Sequence, residues 1–169
     1  MITGREIRAA LNATFAESGF VRQRRTWSRR SKELVWLVQL DRSPYKEGYG
    51  LEIGVYILRH VTGTEPTTAN DCPIIVYLEN LPLATPVEIE GTRLGDFRSA
   101  AIAVLDLTRD MGDEDRKRLL TTILVEVSEY IAMVDSEEML RVRYEAGDFR
   151  SAFIRKDVKR ILSGADGSS

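Results

Sequence analysis

The sequence predicts an α+β fold, a mainly antiparallel sheet of four or five strands packed against an N-terminal helix and C-terminal helices. Two observations carry this. Residues 20–59, FVRQRRTWSRRSKELVWLVQLDRSPYKEGYGLEIGVYILR, read as three strands joined by two polar turns. From Asp96 onward the apolar spacing lengthens from two toward about 3.6, the helical period. A chain of 169 residues is about one domain, taken as residues 1–163 with a flexible polar tail at 164–169.

Thr3-Gly4-Arg5-Glu6 fits a capping box and opens a helix over about 4–18. Ile7, Leu11 and Phe15 recur every four residues along it, and Gly19 supplies its stop. In the strands that follow, Leu34, Trp36, Val38 and Leu40 share one face, and Leu51, Ile53, Val55 and Ile57 share one face of the next. The loop HVTGTEPTTAND then leaves the sheet, and CPIIVYLEN, residues 72–80, reads as a fourth strand with Pro73 at its start. LPLATPVEIEGTRLG is a winding connection in which VEIE forms a short edge strand.

Phe97, Ala100, Ala101, Val104 and Leu105 match the helical template. The segment from Asp113, DEDRKRLLTTILVEVSEYIAMVD, places acids in its first turn and a broad apolar face behind them, so it is the main packing helix. SEEMLRVRYEAG makes a shorter helix ending at Gly147, and DFRSAFIRKDVKRILSG a last one capped by Asp148. The hexapeptide GDFRSA stands at both 95–100 and 147–152, and is read as repeated use of a glycine stop with an aspartate cap, because no longer period accompanies it.

Composition narrows the function. With 43% hydrophobic and 30% charged residues the chain is ordinary for a globular protein, and no apolar run is long enough to span a bilayer. The N-terminal stretch carries Glu6 and two arginines where a secretory signal has its apolar centre, so the expected location is the cytoplasm, without membrane association. Cys72 is the only cysteine and His60 the only histidine, which excludes an intramolecular disulfide and zinc sites built on several thiolates. GYGLEIG leads into a strand rather than a helix and reads as a hairpin turn, and no GxxxxGK[ST], HExxH or GxSxG pattern is present. No cofactor or metal is expected.

The net charge of −2 hides an asymmetry: residues 1–32 hold eight Lys/Arg against two Glu, and residues 33–169 hold 16 against 24. The block RQRRTWSRRSK, residues 22–32, collects Arg22, Arg24, Arg25, Arg29, Arg30 and Lys32 around Trp27. In the strand reading Arg22 and Arg24 project to one face, Arg25 and Trp27 to the other, and Arg29, Arg30 and Lys32 occupy the turn. This surface suits an acidic protein partner, which makes a non-enzymatic interaction domain the leading expectation, with an immunity or inhibitor role as one version. The same residues fit a phosphate backbone with Trp27 stacked on a base, or ion pairs with the chain's own acidic segment. A third alternative is an enzyme using Glu52, His60, Tyr56 or an acidic loop residue, and sheet-edge pairing leaves a homodimer open.

The run LNATFAESGFVRQRRTWSRRSKELVWLVQLDRSPYKEGYGLEIGVYI resembles the opening of a mostly bacterial family, domain of unknown function 4304. The matching elements are Gly19-Phe20, Trp27 followed by Arg29, the strand VWLVQL, Ser43 and Tyr45, and the strand LEIGVYI with Gly54, within residues 7–80. The resemblance implies an α+β fold and no established activity.

Overall fold

Thr3 and Glu6 form the expected capping box in the computed structural model, which describes residues 1–83, 88–89, 92–93 and 96–165. Thr3 Oγ1 accepts from the Glu6 amide at 3.3 Å, and the Glu6 carboxylate accepts from the Thr3 amide at 2.8 Å. Helix α1 (Gly4–Glu17) follows and buries Ile7, Leu11, Thr14 and Phe15. It stops where Gly19 takes φ +79° and the Phe20 amide donates back to the Phe15 carbonyl.

The strands are β1 (Val21–Gln23), β2 (Thr26–Arg30), β3 (Leu34–Arg42), β4 (Tyr49–Ile57), β5 (Ile74–Tyr77), β6 (Glu88–Ile89), β7 (Thr92–Arg93) and β8 (Phe153–Ile154). Helices α2 (Phe97–Leu105), α3 (Asp113–Met133), α4 (Glu137–Glu145) and α5 (Lys156–Leu162) complete the described chain. The main sheet has six strands in the order β1-β2-β3-β4-β5-β8, every neighbouring pair antiparallel. β6 and β7 form a separate two-stranded ribbon. Among the described residues no helix is long and apolar enough to cross a membrane.

The alternation read from the sequence sets the two faces. Leu34, Trp36, Val38 and Leu40 oppose Ile57, Val55, Ile53 and Leu51 in register, and all eight join one core with Ile7, Leu11 and Phe15 of α1, Val104 of α2, Ile123 of α3, Leu140 of α4 and Val158 of α5. Covering so many apolar side chains removes most of their surface from water, at about 25 cal/mol per Å². On the opposite face Val35, Leu37, Tyr56, Ala69 and Cys72 make a smaller cluster beneath the segment that joins β4 to β5. Gly54 permits that crossing: a Cβ there would lie 2.6 Å from Cys72 Sγ and 2.8 Å from the Ala69 carbonyl oxygen.

The structure corrects three expectations. The first predicted strand is a hairpin, β1–β2, and this extra strand together with β8 brings the main sheet to six. The last predicted helix is divided: β8 adds to β5 through Ile74↔Ile154 and Ile75↔Phe153 before α5 begins. The two GDFRSA copies also differ. Asp96 caps α2 by accepting from the Ser99 amide at 2.9 Å, whereas the Asp148 carboxylate accepts from Tyr130 Oη at 2.8 Å and Arg143 Nε at 2.7 Å. Asp148 therefore ties α3 to α4 and caps no helix. The expected connection at 84–87, 90–91 and 94–95 and the end of the expected tail, 166–169, lie outside the described residues.

Candidate partner-binding groove

Antiparallel pairing of Val21↔Ser28, Arg22↔Trp27 and Gln23↔Thr26 leaves Arg24 and Arg25 as a two-residue hairpin tip. Such tips need positive φ, usually from Gly or Asn, yet here Arg24 takes φ +57°. Arg22 stabilises the bend: its Nε donates to the Arg24 carbonyl at 3.0 Å, its Nη1 donates to Asn12 Oδ1 at 3.3 Å, and its guanidinium lies 5.5 Å from the Trp27 ring centre.

Trp27 is placed differently from the sequence expectation. It is 1% exposed, its Nε1 donates to Asn12 Oδ1 at 3.0 Å, and its ring centre stands 6.1 Å from that of Phe15. The cause is register: Trp27 lies opposite Val38, itself opposite Ile53, so the indole falls on the helix-covered face. A buried ring offers no stacking platform. Arg22 lies across the strand pair from Trp27 instead of on the opposite face. Arg29 and Arg30 belong to β2 rather than to the turn; only Lys32 occupies the turn, where it is exposed.

Of the seven predicted residues, Arg24 and Arg25 stand together at the hairpin tip, while Arg30 lies at the far end of β2. Arg24 and Arg25 are exposed at the tip, and Arg25 Nη1 stands 3.9 Å from an Asp41 carboxylate oxygen. Arg30 Nη2 donates to Glu65 Oε2 at 2.6 Å. Half-buried Arg29 lies opposite Trp36, and its Nη1 has no hydrogen-bond partner among the described residues.

Two cavities flank β2 on the sheet face away from the helices and share Gln23, Thr26 and Thr67 as wall residues. One, about 680 Å³, is bordered by Arg24, Arg25 and Gln39; the other, about 470 Å³, has Val35, Leu37 and Tyr56 beneath it and Arg30 and Glu65 at its rim. Together they make a groove along β2 with hydroxyl and amide walls, Arg24 and Arg25 at its tip end and Arg30 at the other. The Tyr56 hydroxyl also donates to Glu65 Oε2, at 3.3 Å. Burial, and then the Glu65 carboxylate, push the Tyr56 pKa up to about 12, so this donor keeps its proton at neutral pH.

The residues weighed for catalysis divide between two cavities. Tyr56, His60 and the loop residue Asp71 border one of about 100 Å³, while Glu52 faces another, about 360 Å³, with Tyr45 and Tyr77. Burial, followed by nearby Asp41, raises the Glu52 pKa above its ordinary value. His60 Nε2 lies 3.8 Å from Glu137, whose carboxylate takes Arg59 Nε at 2.6 Å. Cys72 is buried, which pushes its thiol up to about 12 and leaves it a poor nucleophile. Among the described residues no three of His, Cys, Asp and Glu are grouped to hold a metal ion.

Comparison with family models matches residues 11–132 to Domain of unknown function (DUF4304). The chain belongs to the DUF4304 family. The DUF4304 match begins inside α1, spans β1 to β7 and reaches into α3, well past residues 7–80. It thus includes the hairpin, the groove and the segment crossing it. Searches of curated proteins and of solved structures found no match.

Proposed function

We propose that this DUF4304 protein is a non-enzymatic, cytoplasmic protein-binding domain that meets an acidic partner at the β1–β2 hairpin and its groove. The exposed Arg24-Arg25 tip beside a cavity of about 680 Å³ carries the reading. Arg22 and Asn12 hold the tip in shape before any partner arrives, and pre-organisation lowers the ordering cost of binding. An inhibitor or immunity role is one form of the same activity. The nucleic-acid alternative retains the arginines but loses its stacking residue with Trp27 in the core.

The test is capture from native lysate, with and without nuclease, by the wild-type chain and by a variant carrying Arg24→Glu and Arg25→Glu. A protein retained in near-stoichiometric amount by wild type and lost by the variant is the expected result. Equal retention by both, or a catch that disappears with nuclease, overturns the proposal.

A further inference from the structure

We infer that residues 61–68 form a strap whose Glu65 competes with an acidic extended segment of the partner for Arg30; this inference rests on the protein-binding reading above. The strap crosses the groove between two firm anchors. At one end Val61 packs on the Val35–Leu37–Tyr56 cluster, and its amide donates to the Leu58 carbonyl. At the other, Ala69 is buried and its amide donates to Gln39 Oε1 at 3.2 Å.

Between those anchors Thr62, Gly63, Thr64, Glu65 and Thr67 are exposed. Among the described residues, the hydrogen bonds that tie this middle portion to the sheet all end on one group, the Glu65 carboxylate, which takes Arg30 at 2.6 Å and Tyr56 at 3.3 Å. The molecule therefore already seats one carboxylate in the basic groove, which shows the chemistry that the groove accepts. Both partners of the Arg30–Glu65 pair are half-exposed, at 53% and 46% of their side chains. Exposed pairs are weak, so a second carboxylate can replace Glu65 at little cost.

The groove also fixes the form of the occupant. Gln23, Thr26, Ser28 and Thr67 offer hydrogen bonds to an extended main chain, and Arg24, Arg25 and Arg30 favour acidic residues, while Val35 and Leu37 beneath are already covered. An extended segment with acidic residues at alternate positions meets both demands. Such a segment gains Arg30 by releasing Glu65, so the strap sets the affinity of the site.

The experiment is fluorescence anisotropy of a labelled ten-residue peptide of alternating Glu and Val, titrated with the full chain. Glu65→Gln is expected to bind about two- to five-fold more tightly than wild type, the range set by losing one exposed ion-pair competitor. Glu65→Asp keeps the charge but shortens the reach to Arg30 and Tyr56, and is also expected to bind more tightly. Equal affinity of wild type and Glu65→Gln overturns the strap, and so does a gain limited to Glu65→Gln, which reports lost repulsion alone. Absence of peptide binding to all three chains overturns it too, while the lysate capture decides the hairpin reading separately. A weaker Arg24→Glu/Arg25→Glu variant with no Glu65 effect keeps the hairpin and removes the strap.

Discussion

The indole nitrogen of Trp27 donates to the Asn12 side-chain oxygen at 3.0 Å, joining the second strand to the first helix through a single amide. That oxygen also accepts from Arg22, so the helix, the core and the hairpin tip meet at one acceptor.

Trp27→Ala is therefore expected to lower stability by about 3–5 kcal/mol, the usual cost of emptying a large buried aromatic site. Asn12→Ala leaves the ring in place and is expected to cost about 1–2 kcal/mol by stranding its donor. Urea unfolding measures both. A Trp27→Ala cost below about 1 kcal/mol contradicts the buried placement.

Arg116 is 3% exposed, and its guanidinium donates to the carbonyls of Ala103, Val104, Asp106 and Arg109 at 2.8–3.0 Å. Two of these are last-turn carbonyls of α2, which have no helical partner of their own. Arg116→Met keeps much of the apolar stem and is expected to cost about 2–3 kcal/mol through unsatisfied carbonyls. Arg116→Lys recovers little, because one ammonium cannot reproduce the planar fan. Thermal unfolding of the two variants beside wild type checks this.

At Gly54 the backbone oxygen of Ala69 stands in the way of any side chain. Gly54→Ala is expected to destabilise by about 1–3 kcal/mol, since one of the colliding atoms is main chain. The same close packing shields Cys72, whose thiol is both buried and shifted up to about 12. Native protein is expected to resist a thiol-reactive disulfide reagent and to release one equivalent on unfolding, read by absorbance.

Glu137 gives stability a defined pH dependence. Hydrogen bonds from Arg59, with smaller help from His60 and Arg141, hold its carboxyl below the ordinary value of 4.5, against the opposing effect of burial. Because the folded pKa is depressed, the stabilisation is complete above the unfolded pKa and is lost as pH falls through the folded one. The difference in melting temperature between wild type and Glu137→Gln is expected to be largest above about pH 5 and to shrink toward about pH 3. A constant difference over that range rejects the linkage.

Elements with a sustained period were legible in the sequence. β3 and β4 keep an apolar residue at every second position, from Leu34 to Leu40 and from Leu51 to Ile57, and α3 keeps an apolar face over its 21 residues. The hairpin tip was not legible, because Arg24-Arg25 carries none of the residues that usually take positive φ and its compensation comes from the Arg22 side chain. β8 was missed for a different reason: two residues cannot display a period, and Phe153–Ile154 become a strand only by pairing with β5. Trp27 did carry a usable signal, since its apolar ring stands between the polar residues Thr26 and Ser28 along β2. The composition of the basic block drew attention to Trp27 as a ligand platform, while the register that buries it depends on β3.

The position of β8 bears on how the chain acquires its shape during synthesis. Arg155 donates its amide to the Pro73 carbonyl, and β8 pairs with β5 after more than seventy intervening residues have been made. A nascent chain released only as far as α3 has β5 as an uncovered outer strand, open to pairing with another chain. Helices can form beforehand from neighbouring residues, but this edge waits for a distant segment, and such long-range closure is slow. Vulnerability to aggregation is thus concentrated in the interval between the emergence of β5 and the arrival of residues 153–154.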